Sequence, residues 1–148
     1  MKKSRILGIL STVTFTLFIV WMMIFVNAGT LPAVIDFYAI AGLFICIPML
    51  WTSGYLKDFV NALKITFCDC DLDEKELKRA DKSCSFLLII LWIEAFLFTL
   101  VNFLGFLNEF EDKNSFGTSI ALSLLPIFYA LILSFFIFLI KAFVEREI

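Results

Sequence analysis

Four stretches of the chain are apolar for about twenty residues each, and they leave few ways for it to fold. They are Ile6 to Val26, which carries no charge, Phe37 to Leu56, Ser85 to Leu107 and Ile120 to Ile140. At 1.5 Å per helical residue each is long enough to cross about 30 Å of hydrocarbon. Each must be a helix, because an isolated strand in lipid would leave its backbone groups unpaired. The runs are continuous rather than alternating, which excludes the pattern of a membrane barrel. With 61% apolar residues over 148 positions and a mean hydropathy of +0.98, there is more apolar surface than one core of this size can enclose. The expected fold is therefore all-α: an integral membrane protein of four transmembrane helices in a single domain.

The basic residues set the expected orientation. Lys2, Lys3 and Arg5 precede the first stretch, six more lie between Lys57 and Lys82, and Lys141 and Arg146 follow the fourth; the two other connections hold only Lys113. This split of 11 to 1 puts both termini and the middle loop on the cytoplasmic side. Val26-Asn27-Ala28 resembles a signal-peptide cleavage site, but 21 preceding apolar residues exceed the usual ~7–15, so the stretch reads as a retained span. Short connections at Asn27 to Asp36 and Asn108 to Gly117 make spans one and two, and spans three and four, two antiparallel hairpins. Lys57 to Cys84 joins them. Its first half reads as the second helix continuing into the cytoplasm, and Asp71 to Ser83 reads as a polar helix, with Glu74, Lys75, Glu76, Lys78 and Arg79 at supporting spacings.

Little in the sequence points to an enzyme. With no His, the commonest metal ligand and general base is missing. A net charge of −2 gives no basic field for nucleic acid. Cys68, Cys70 and Cys84 in the loop do not follow zinc-finger or ribbon spacing, and read as reduced and unligated, as does Cys46 in the second span. No nucleotide, hydrolase or kinase signature is present, and neither a metal nor a cofactor is expected.

The polar residues inside the spans are the candidate site. Glu94 lies ~14 Å into the third span, near mid-bilayer. An ionised carboxylate there costs at least ~2.5 kcal/mol, so it should face protein or a wet cavity. Thr99 and Asn102 follow on the same helix, and at 100° per residue the three share one broad stripe. The stripe reads either as an ion pathway or as polar glue between helices.

Three stretches resemble the flagellar stator A subunit and its relatives in the MotA/TolQ/ExbB family. In the first, Ala28-Gly29-Thr30-Leu31-Pro32-Ala33-Val34-Ile35-Asp36 resembles the Gly-rich turn and Ile-Asp pair before the family's second helix, and Tyr55 to Lys64 resembles the segment by which that helix leaves the membrane. Phe98-Thr99-Leu100-Val101-Asn102-Phe103-Leu104 is similar to the family's third-helix pattern, and Ala121 to Ala130 to its fourth. The resemblance implies a bacterial inner-membrane proton-channel subunit. It would be a homo-oligomer, five copies around two helices of a single-span partner of MotB/ExbD type that carries a membrane Asp, coupling ion flow to mechanical work. Thr99 matches the family's pore-facing Thr. The chain departs from the family at Pro126 and Ile127, where two Thr are usual, at Phe98 and Asn102, where Gly is usual, and at Trp92 and Ile140, where Pro is frequent. Its middle loop is also short, where flagellar relatives carry a large helical domain. A non-conducting scaffold of the same architecture, or an unrelated small four-span transporter or pore, are the alternatives.

Overall fold

The computed structural model describes residues 10–11, 13–14, 16–18, 21, 40, 45–67, 72–108 and 116–148. Of these, 91% are helical, so the all-α expectation holds. Most of the first predicted span, the first connection, Cys68, Cys70 and the connection holding Lys113 lie outside the described residues. In the first span Leu10, Ser11, Val13, Thr14, Thr16, Leu17, Phe18 and Trp21 are helical.

Four elements are continuous: α1 (Cys46–Thr52), α2 (Leu56–Phe67), α3 (Glu74–Asn108) and α4 (Phe116–Glu145). Helix α3 starts at Asp73, whose side-chain Oδ1 accepts the Glu74 N–H at 2.9 Å and whose carbonyl accepts from Glu76 and Leu77. Glu74 and Glu76 add negative charge where the helix dipole is positive. No Pro interrupts the 35 residues that follow, so the predicted polar helix and third span form one rod. The polar helix expected over Asp71 to Ser83 is thus present from Glu74 onward, and it runs on without a break. The reason is that Lys75 to Ser83 are good or tolerable helix formers with no Gly or Pro to stop propagation into the apolar stretch.

The second predicted helix, by contrast, is divided. Thr52 Oγ1 donates to the carbonyls of Pro48 and Met49, and Ser53 Oγ to that of Leu50, satisfying the last turn of α1. Gly54 then takes φ +78°, and its N–H bonds the Trp51 carbonyl at 3.0 Å. A left-handed glycine just past the last turn is a common helix stop, because it lacks the Cβ that makes this conformation costly.

Helices α3 and α4 pack along their length as an antiparallel hairpin. Lys141 reaches Asp81 at 3.6 Å at one end, and only residues 109–115 connect the helices at the other. The inward faces recur every three or four residues: Ala80, Cys84, Leu87, Leu91 and Ala95 on α3, and Ala130, Ser134, Ile137, Ile140 and Val144 on α4. Many are small, which lets the two backbones approach closely. Helix α2 packs against both α3 and α4 and lays Ala62 and Ile65 into the same core, which also holds Leu77, Ala80 and Cys84.

Two stretches among the described residues, Glu74–Leu104 and Ile120–Glu145, are long and apolar enough to cross a membrane. In the most apolar 18-residue window of each, only 39% of the first and 33% of the second is buried within the chain. The rest carries exposed Ile93, Phe96, Leu97, Val101, Leu104, Leu124 and Phe138. A helix from the core of a soluble protein would have such residues inside.

Candidate functional site

The segment from Cys46 to Phe67 runs antiparallel beside α3. Tyr55 packs on Phe86 with ring centroids 4.9 Å apart, and nine residues earlier Cys46 meets Glu94, eight residues beyond Phe86. The two contacts keep nearly the same register on either side of the break at Gly54. This brings a lone thiol of the second predicted span onto the lone carboxyl of the third.

Cys46 Sγ–H donates to Glu94 Oε2 at 2.7 Å, and both residues are interior, at 4% and 8% exposed. The other carboxyl oxygen, Glu94 Oε1, is buried and has no hydrogen-bond partner among the described residues. Glu94 lies ~12 Å along the helix from the Tyr55–Phe86 contact. Its neighbours on the inward face, Leu91 and Ala95, are buried, whereas Ile93, Phe96 and Leu97 point outward. The helix thus turns its one mid-span charge away from the apolar exterior.

Thr99 and Asn102 lie on the same side of α3. Both are half-buried, between exposed Leu100, Val101 and Phe103, which face out. The Thr99 hydroxyl is buried and, like that of Ser134 on α4, has no hydrogen-bond partner among the described residues. Thr99 is as far along α3 from Asp81 as Ser123 is along α4 from Lys141, so the antiparallel register sets them at one level. Ser123 is buried and spends its hydroxyl hydrogen on the Ile120 carbonyl at 2.8 Å. Pro126, also fully buried, stands one turn further along α4 and lacks an N–H for the helix ladder, so the Leu122 carbonyl has no partner there. The three sequence candidates therefore share the inward face of α3, and among the described residues only Glu94 is in direct polar contact with another helix.

The sequence pattern alone assigns Cys46 no role. A usable signal was its depth: it lies nine residues from the start of its predicted span and ten from the end, matching the depth of Glu94 in the neighbouring span. Ser134 carried no comparable signal, being one hydroxyl in a run of Leu and Phe. Cys84, placed in the loop by the sequence reading, is instead fully buried in α3 against the core, and both it and Cys46 are free thiols. No group of three or more Cys, Asp, Glu or His side chains gathers among the described residues.

No known protein family, curated protein or solved structure matches the chain.

Proposed function

We propose that the chain is a subunit of an oligomeric membrane complex that couples ion flow to work on a partner, with Glu94 as its proton-exchanging group. The observation that carries this reading is the state of the Glu94 carboxyl: interior, midway along an apolar helix, with Oε2 bonded to Cys46 and Oε1 buried without a hydrogen-bond partner among the described residues. A carboxyl that served only to tie two helices together would have both oxygens satisfied, since each open buried oxygen costs ~1–3 kcal/mol. An open oxygen suits a group that takes up and releases a proton, as intramembrane acids on ion paths do. Thr99 and Asn102, further along the same face, supply the next polar positions.

The membrane part of the proposal is a four-span arrangement, with both termini cytoplasmic in a bacterial inner membrane. Supporting it, the cytoplasmic boundaries predicted for three spans lie at one height. Tyr55 at the end of the second meets Phe86 at the start of the third, and Lys141 after the fourth meets Asp81. Ion coupling, a ring of five copies and a single-span partner bearing a membrane Asp come from the stator-like residues. The exposed apolar faces of α3 and α4 are compatible with neighbours in such a ring.

A non-conducting scaffold is the second reading, favoured by one observation: the donor to Glu94 belongs to the same chain, so the bond also works as an internal tie between helices. Glu94→Gln and Thr99→Val, scored for assembly and for proton flux in liposomes, separate the two. Gln keeps hydrogen-bonding capacity but exchanges no proton. Normal assembly with flux abolished in Glu94→Gln supports the relay. Unchanged flux leaves Glu94 as a tie, and no flux from the unmodified protein with its partner makes the scaffold the better description.

A further inference from the structure

The basic residues of α3 are not scattered. Lys75, Lys78, Arg79 and Lys82 recur at intervals of three, one and three residues, which places all four on one face of the helix, and all four are exposed. Half-buried Phe86 and exposed Ile89, Ile93 and Phe96 continue that face further along α3. A single helical face therefore changes from cationic to apolar close to Ser85, the boundary at which the third span begins.

Such a stripe repels itself. Lys75 and Arg79, and Lys78 and Lys82, are like charges four residues apart, a spacing that destabilises a helix unless countercharge is near. Within the chain Glu74 supplies it to Lys78 alone, and that pairing holds the exposed Glu74 carboxyl below its ordinary range. Glu76 and Asp81 are half-buried instead of exposed beside the stripe, and Asp81 is committed to Lys141. Lys75, Arg79 and Lys82 have no ion-pair partner among the described residues.

We infer that this stripe, at the foot of the outward face of α3, is a binding site for the headgroups of anionic phospholipids. The inference rests on the membrane reading of α3. Beyond Phe86, which Tyr55 partly covers, the exposed Ile89, Ile93 and Phe96 would lie against acyl chains, so the phosphates of those same lipids are the negative charges next along the helix. The distances grade the residues. A headgroup layer extends ~5–7 Å beyond the hydrocarbon. Lys82 is three residues from Ser85, ~5 Å, and lies within that layer. Arg79, ~9 Å away, lies ~2–4 Å beyond that layer and well within one screening length of ~8–10 Å. Lys75, at ~15 Å, lies a full screening length beyond the layer, and so serves as a control of identical charge on the same face.

The test is native mass spectrometry of the full chain in detergent, titrated with phosphatidylglycerol or with phosphatidylcholine. A basic residue at a headgroup contributes a factor of about five in affinity. The unmodified protein should prefer phosphatidylglycerol. Lys82→Gln should lower that affinity about fivefold, Arg79→Gln about twofold, and Lys75→Gln should leave it unchanged, with phosphatidylcholine binding equal in all four proteins. Membrane insertion is checked in parallel by resistance to alkaline extraction. An inserted protein with no lipid preference, or with equal losses from all three substitutions, overturns the lipid site and leaves the stripe to an acidic protein partner. A protein that does not insert overturns the membrane reading itself, and the site with it.

Discussion

The bond between Cys46 and Glu94 makes a quantitative claim that a double-mutant cycle can test. Cys46→Ala removes the only hydrogen-bond donor to Glu94 among the described residues and leaves both carboxyl oxygens buried and open. The lost bond is worth ~0.6–1.7 kcal/mol in a membrane setting. The small void left by the sulfur adds ~1 kcal/mol, so the total cost should be about 2 kcal/mol. Cys84→Ala isolates the void contribution, because Cys84 is equally buried but donates to no carboxylate among the described residues. Glu94→Leu should cost little or even stabilise, since it removes the buried polar group whose desolvation opposes folding. In the Glu94→Leu background, Cys46→Ala should then cost no more than Cys84→Ala. The expected coupling is about 1 kcal/mol, and Cys46→Ser, which retains a donor, should recover most of the loss. Unfolding the full chain in mixed micelles with increasing denaturing detergent, followed by circular dichroism, provides the measurement. If the two single substitutions add to within ~0.3–0.5 kcal/mol, the two side chains do not interact and the register between the second and third spans is wrong.

Three further outcomes follow from the fold. Gly54→Ala should destabilise by about 1 kcal/mol in the same assay, a pure backbone cost, because a Cβ there meets no atom within 4 Å; Gly54→Asn should cost less, and equal stability of all three would place the helix break elsewhere. Ala95→Leu, introducing three carbons at a fully buried position of the hairpin core, should cost ~1–3 kcal/mol, whereas the same change at exposed Ala121 should have almost no effect. A reporter fused after Ile148 should be cytoplasmic and one inserted at Asn114 external; cytoplasmic labelling at Asn114 would overturn the four-span arrangement.

What the sequence determined by itself follows from the solvent each residue can tolerate. Long uninterrupted apolar runs have few stable conformations other than helix, so the all-α class and the reach of α3 and α4 across Ser85 to Leu107 and Ile120 to Ile140 were legible without coordinates. The need of Glu94 to turn inward was legible too, and the carboxyl is buried. Where helices stop was read less well. Nothing in the apolar content of Trp51 to Lys57 signals the break, which depends on the backbone conformation of Gly54 and on hydroxyls returning to carbonyls one turn earlier. The polar helix and the third span join in one rod because a change from charged to apolar residues alters what the helix faces, not whether it continues. Only the tertiary structure decided which side chain answers Glu94. That pairing joins residues 48 apart in the chain, and it is set by the packing of Tyr55 on Phe86 and the register this imposes, a geometric relation between two helices that neither helix's own sequence contains.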